Sequence, residues 1–135
     1  MSNEPILIID DNLMNLKLEK RLLETEGYQV LTAQNAEETL KLLGYFIPKL
    51  VLMDYQLPGI DGVELTKRLR EIPAVKNAVI LMVTSYDQQG DEARAKAAGC
   101  DGYLTKPIDT KTLPLVIAEC LRKGNGAGQS GHSVN

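Results

Sequence analysis

The chain predicts an α/β domain in which an open parallel sheet is covered by helices on both faces. Three observations predict it. Short apolar runs alternate five times with longer stretches of helical period. The apolar runs are continuous, as strands buried on both faces must be. Each run also stops at a polar residue or a turn. At 135 residues the chain is long enough for one domain with a real core, and no repeat is evident beyond the βα alternation.

Ile6–Ile9 reads as a buried strand that ends at Asp10. After Asn12, an N-cap candidate, Met14, Leu18, Leu22 and Leu23 recur at helical spacing until Gly27, a glycine suited to the position just past a helix. Gln29–Ala33 is the second strand. Asn35 with Glu38 three residues later resembles a capping box and opens a helix carrying Ala36, Leu40 and Leu43. Leu50–Met53 is the third strand, ending at Asp54, and a loop with Pro58, Gly59 and Gly62 leads into a helix bearing Leu65, Leu69 and Ile72. Ala78–Val83 is the fourth strand, stopping at Thr84, followed by a helix over Gly90–Ala98 that offers only alanines to the core. Gly102–Thr105 is the fifth strand, ending at Lys106–Pro107. The last helix runs from about Thr112 to Lys123, with Pro114 tolerable only in its first turn. From Gly124 the composition turns to GNGAGQSGHSVN, which reads as a flexible tail or the start of a linker. The expected division is a domain over 1–123 and a tail over 124–135.

Composition narrows the function. Fifteen basic against eighteen acidic residues leave no broad cationic surface, and there is no Trp and only one Phe. Direct nucleic-acid binding is therefore not expected. The longest apolar run, Ala78 to Val83, is far too short to span a bilayer, and MSNEPILIID lacks the basic lead of an export signal. The expectation is a cytoplasmic protein with no membrane contact. The lone histidine, His132, lies in the tail, which excludes a His base or a His metal cluster in the domain. Cys100 and Cys120 make no disulfide framework. Cys120 shares a helical stripe with Leu113, Val116, Ile117 and Leu121, so a buried thiol is expected. The chemistry must come from carboxylates, hydroxyls and lysine.

The informative polar residues sit at the strand ends: Asp10 and Asp11 after strand one, Asp54 after strand three, Thr84 after strand four and Lys106 after strand five. Right-handed crossovers put all five strand C-termini on one edge. In the flavodoxin-like order 2-1-3-4-5 the ligand crevice opens between strands one and three. Taken singly, each residue has an ordinary reading as a turn, cap or solvated charge. As a set they converge, and unit charges about 4 Å apart repel by roughly 4 kcal/mol at an effective dielectric near 20. A cation belongs in such a cluster. With only oxygen ligands at the strand ends, a hard ion is selected, Mg²⁺ over Zn²⁺.

The segments IIDDNLMNLKL, VLMDYQLPGIDGVEL, ILMVTS and GYLTKPID, in this order and spacing, resemble the receiver domain of bacterial two-component response regulators, the CheY-like family. The resemblance covers roughly residues 5 to 123. It implies that Asp54 accepts a phosphoryl group from a phosphohistidine. It further implies a Mg²⁺ site in which Asp11 is a direct ligand, Asp10 a ligand acting mainly through water, Asp54 a further member, and the backbone carbonyl of Gln56 completes the protein's contribution. Lys106 would pair with the phosphoryl oxygens and Thr84 would donate its hydroxyl to one of them, while Lys106–Pro107 resembles the family's cis peptide. Phosphoryl transfer needs alignment and charge neutralisation, which a divalent ion and an ammonium supply. Tyr103 resembles the family's switch aromatic, which turns inward as Thr84 moves, although a strand tyrosine reaching the rim is the plain reading.

The resemblance implies a histidine kinase or a histidine phosphotransfer protein as donor, docking near the first helix, and a downstream protein as target. The fourth helix, fifth strand and last helix would form the output and homodimer face, with Arg94, Lys96 and Lys111 placed for charge pairs. Gln56 and Tyr86 would tune attack of water on the acyl phosphate. Such a chain catalyses its own phosphorylation and dephosphorylation without turning over an independent product. Two contexts fit: a free-standing signalling protein, or a receiver excised from a hybrid histidine kinase or multidomain regulator. An aspartyl-phosphate phosphatase of the haloacid dehalogenase type needs DxDxT at strand one, where this chain reads DDNLM. A P-loop enzyme is excluded by the absence of GxxxxGK[ST]. Three acids at the phosphate position argue against a flavin carrier of the same fold.

Overall fold

A computed structural model of the chain describes residues 3–84 and 89–124. In chain order it contains β1 (Pro5–Ile9), α1 (Leu13–Thr25), β2 (Gln29–Ala33), α2 (Ala36–Leu42), β3 (Leu50–Asp54), α3 (Gly62–Arg70), β4 (Val79–Thr84), α4 (Gln89–Ala98), β5 (Gly102–Thr105) and α5 (Leu113–Gly124). The strands form one parallel sheet in the order β2-β1-β3-β4-β5, the predicted order. The elements match the predicted ones to within a residue or two at each end. None of the described helices is long and apolar enough to cross a membrane.

Strand alternation divides the core. Ile6 and Ile8 of β1, with Leu50 and Leu52 of β3, face a cluster built with Leu16 and Leu23 of α1 and Leu113, Ile117, Cys120 and Leu121 of α5. Leu7 and Ile9, with Val51 and Met53, face the other cluster, which includes Leu65 and Leu69 of α3 and Ala95 and Ala98 of α4. Both faces of β1 and β3 are thus buried, which is why these strands read as unbroken apolar runs.

The helix starts follow local chemistry. The Asn12 side chain accepts from Asn15 N at 3.0 Å and Asp61 from Glu64 N at 2.9 Å. At α2 the cap is reciprocal: Asn35 accepts from Glu38 N at 2.8 Å, while the Glu38 carboxylate accepts from Gln34 N at 2.7 Å. Gly27 beyond α1 and Gly99 beyond α4 have φ of +99° and +112°, the left-handed region that glycine enters without strain.

Two expected stripes are corrected. In α1, Leu23 is buried and Leu22 packs against the core as expected, but Met14 and Leu18 are 73% and 54% exposed and their place on the inner face is taken by Leu16 and Glu19. Asn12 sets where the helix begins, and residues two positions from Leu16 lie about 200° round the axis, on the far side. In α2, Leu40 also faces outward, whereas Ala36, Leu42 and Leu43 pack against the core. The Cys120 stripe is as expected, and Pro114 is the second residue of α5, where its missing N–H breaks no helical hydrogen bond. Tyr86 and the tail beyond Gly124 lie outside the described residues.

Candidate functional site

The sheet order reverses at β1, and the crevice beyond the C-ends of β1 and β3 collects the predicted acids. Ile9 pairs with Met53, so Asp10 and Asp54, each one residue further on, stand side by side. Backbone bonds carry the ladder past the strands and hold each site residue in place. Asp10 N donates to Ala33 O at 3.0 Å, Tyr55 N to Val83 O at 2.7 Å and Lys106 N to Thr84 O at 2.7 Å. Thr84, the last residue of β4, is buried, and Lys106–Pro107 is a cis peptide bond.

One carboxylate oxygen each from Asp10, Asp11 and Asp54 lies within 4.8 Å of the others. Asp10 and Asp54 are buried and Asp11 is exposed, so the cluster has a floor and an open side. Asp10 is oriented by Asn12 N at 2.9 Å on Oδ1 and by Asn15 Nδ2 at 3.3 Å on Oδ2. Asp54 accepts from Gln56 N at 3.3 Å on Oδ1, and Lys106 Nζ sits 3.1 Å from its Oδ2. An all-oxygen donor set with one solvent-facing member fits a hard divalent ion that keeps some of its water, as Mg²⁺ does.

The electrostatics show a site short of positive charge. Burial pushes the Asp54 carboxyl above the usual aspartate range, and Asp10 pushes it further, against the pull of Lys106. Burial works against the Lys106 ammonium, yet its hydrogen bond to Asp54 and the charges of Asp54, Asp10 and Glu19 outweigh that and raise its pKa. Glu19 is a fourth carboxylate, 8% exposed on the inner face of α1. Its burial, then Asp10 and Asp54, lift its pKa from 4.5 to about 7 against the pull of Lys106.

The structure therefore brings Asp10, Asp11, Asp54 and Lys106 together, with Thr84 at the end of the adjoining strand. Gln56 is exposed, directly after Tyr55, with its N–H on Asp54. Tyr103 is half-buried in β5 and packs against the cluster on the α3–α4 side of the sheet. Lys96 and Lys111 are exposed, but Arg94 is turned onto its own domain: Nη1 donates to the Tyr55 hydroxyl at 2.6 Å and Nη2 lies 3.8 Å from Asp61 Oδ2. Sequence reasoning missed Asn15 and Glu19. Counting from the Asn12 cap instead of from the leucines puts residues 12, 15, 16, 19 and 23 on one face, which was the available signal.

A parallel five-stranded sheet with clustered aspartates and a lysine at its switch point defines an open α/β domain with an acidic site at the C-terminal edge of its strands. Residues 6–118 match the sequence model described as the response regulator receiver domain, and the chain belongs to that family. It is similar to the polar-differentiation response regulator DivK of Brucella anthropi, with 38% identity over 103 residues, 76% of this chain and 84% of that protein. Among solved structures it is similar to a CheY-like response regulator receiver domain protein from Methanospirillum hungatei JF-1. That likeness has a TM-score of 0.84 and 32% identity, covering 90% of this chain and 96% of that one. A two-component response regulator from Clostridium difficile superposes with a TM-score of 0.85 at 28% identity, covering 91% and 99%.

Proposed function

We propose that this receiver domain is a phosphorylation-driven switch whose acceptor is Asp54. The observation that carries the reading is the Lys106 ammonium, 3.1 Å from a buried Asp54 carboxylate that shares a cluster with Asp10 and Asp11. An Asp54 oxygen attacks the phosphorus of a phosphohistidine on a kinase or phosphotransfer protein. The O–P bond forms, the P–N bond breaks, and the imidazole leaves with its electron pair and takes a proton from solvent. Asp10, Asp11, Asp54 and the Gln56 carbonyl would hold Mg²⁺, which neutralises phosphoryl oxygens when bound. Lys106 is already at the carboxylate and moves its ammonium onto a phosphoryl oxygen, while Thr84 donates its hydroxyl to another. Tyr103, on the strand beside Thr84, responds to that shift, and the signal passes to a downstream protein. Residues 1–123 are the domain that does this, with 124–135 as a tail.

The test is transfer from a labelled phosphohistidine protein in Mg²⁺. Label on the chain that hydroxylamine removes, and that Asp54→Asn never acquires, is expected. Label on Asp54→Asn equal to that on the parent would overturn the assignment.

A further inference from the structure

The segment 55–61 joins β3 to α3 and begins immediately after Asp54. Its two ends are close, because Gly62 N donates to Tyr55 O at 2.8 Å. Arg94, from the middle of α4, grips both ends at once. Its Nη1 donates to the Tyr55 hydroxyl at 2.6 Å, its guanidinium carbon lies 5.8 Å from the centre of the Tyr55 ring, and its Nη2 faces Asp61 at 3.8 Å. Asp61 is in turn the cap of α3. Hydrogen bond, ring–cation attraction and ion pair thus join one side chain to the segment that carries Gln56.

What else holds α4 makes this contact consequential. Its buried side chains among the described residues are alanines, Ala95 and Ala98, which bury little apolar surface. Its C-terminal end is fastened separately, since Arg70 donates to Gly99 O from Nε at 2.9 Å and Nη2 at 2.7 Å and also reaches Asp101 at 2.9 Å. One end of α4 is pinned by Arg70, and its middle is strapped to the acceptor segment by Arg94.

We infer that Arg94 is a positioning residue, a strap that holds α4 in its resting place against segment 55–61 and so restrains phosphorylation of Asp54. The inference rests on the proposed acceptor role of Asp54. Opening the strap lets α4 swing about the end pinned by Arg70 and frees the segment beside the acid. The contact is solvent-exposed, so its effect is modest.

The experiment compares the parent with Arg94→Ala, Arg94→Lys, Tyr55→Phe and the Arg94→Ala/Tyr55→Phe double variant. Amide exchange of α4 and of segment 55–61 is measured, together with the rate of phosphorylation by subsaturating acetyl phosphate in Mg²⁺. Arg94→Ala is expected to speed exchange in both segments and phosphorylation alike by about two- to five-fold, the size of one exposed polar contact. Arg94→Lys keeps the charge but not the two-nitrogen fork that reaches Tyr55 and Asp61 together, so it should fall between the parent and Arg94→Ala. Tyr55→Phe should show part of the effect, and the double variant no more than Arg94→Ala alone. Unchanged exchange in α4, or looser α4 with unchanged or slower phosphorylation, would overturn the strap. If the parent itself takes no phosphoryl group, the acceptor reading fails and the strap's role falls with it. That outcome is distinct from a phosphorylated parent whose variants behave identically.

Discussion

Lys106 Nζ and Asp54 Oδ2 lie 3.1 Å apart although fifty-two residues separate them in the chain. The lysine is held by Thr84 O through its backbone N–H and the aspartate by the last register position of β3, so the pair is a product of strand order. Lys106 is the cation that offsets three converging carboxylates, Asp10, Asp54 and Glu19, each of which raises its pKa.

Replacing that cation has a calculable direction. Lys106→Met leaves Asp54 buried beside Asp10 with no ammonium on it, and the Asp54 pKa climbs above its already raised value. A buried acceptor stripped of its partner loses about 1–3 kcal/mol. The variant should be less stable than the parent at neutral pH by that order, with the gap narrowing in acid where Asp54 is protonated. Urea unfolding at two pH values measures it.

Glu19 makes the opposite prediction. Its folded pKa of about 7 exceeds the usual 4.5, so its contribution is fully present below 4.5 and is lost as pH rises through about 7. The difference corresponds to about 3 kcal/mol. Glu19→Gln should therefore flatten the stability profile between those values and leave the protein about 3 kcal/mol more stable than the parent at alkaline pH. Thermal unfolding across that window tests it, and parallel profiles for the two proteins would refute the burial argument.

These two residues show how unevenly the molecule was legible beforehand. Strands such as Leu50–Asp54 announced themselves because burial on both faces leaves no polar position until the acid at the edge. The convergence of Asp10, Asp11, Asp54 and Lys106 followed from strand order, which parallel connections largely dictate. Gln56 and Tyr103 came only with the family resemblance. Glu19 was hidden because a carboxylate on a core-facing position contradicts amphipathic patterning, while exposed Met14 and Leu18 pulled the expected stripe to the wrong side of α1. The contacts of Arg94 with Tyr55 and Asp61 have no periodic signature at all, being exposed pairs between distant segments.

A divalent ion should stabilise the domain. One carboxylate oxygen from each of Asp10, Asp11 and Asp54 already lies within 4.8 Å of the others, and a ligand at one hundred times its Kd adds about 2.7 kcal/mol. Mg²⁺ should raise the Tm of the parent, and Asp11→Asn should lose most of that rise. Without added ion, the same variant should be at least as stable as the parent, because one of the mutually repelling charges is gone.

Gly62 ties packing to the site. A Cβ there would lie 2.6 Å from Asp54 O and 2.8 Å from Met82 Sδ. The first is backbone and cannot step aside without moving Asp54. Gly62→Ala should destabilise the fold by about 1–3 kcal/mol and slow phosphorylation, an overpacking effect. A methyl group at Gly59 would meet nothing within 4 Å, but the backbone there has a φ of +88°, so Gly59→Ala should strain the turn while leaving Asp54 in place. Urea unfolding of the two variants, paired with their phosphorylation rates, separates the effects.

The most direct measurement is intact-mass analysis after incubation with acetyl phosphate, with and without Mg²⁺, followed by localisation of the modified residue. The account predicts addition of one phosphoryl group, dependent on Mg²⁺, located on Asp54 and absent from Asp54→Asn. Modification of another residue, or none in the parent with Mg²⁺ present, would contradict it.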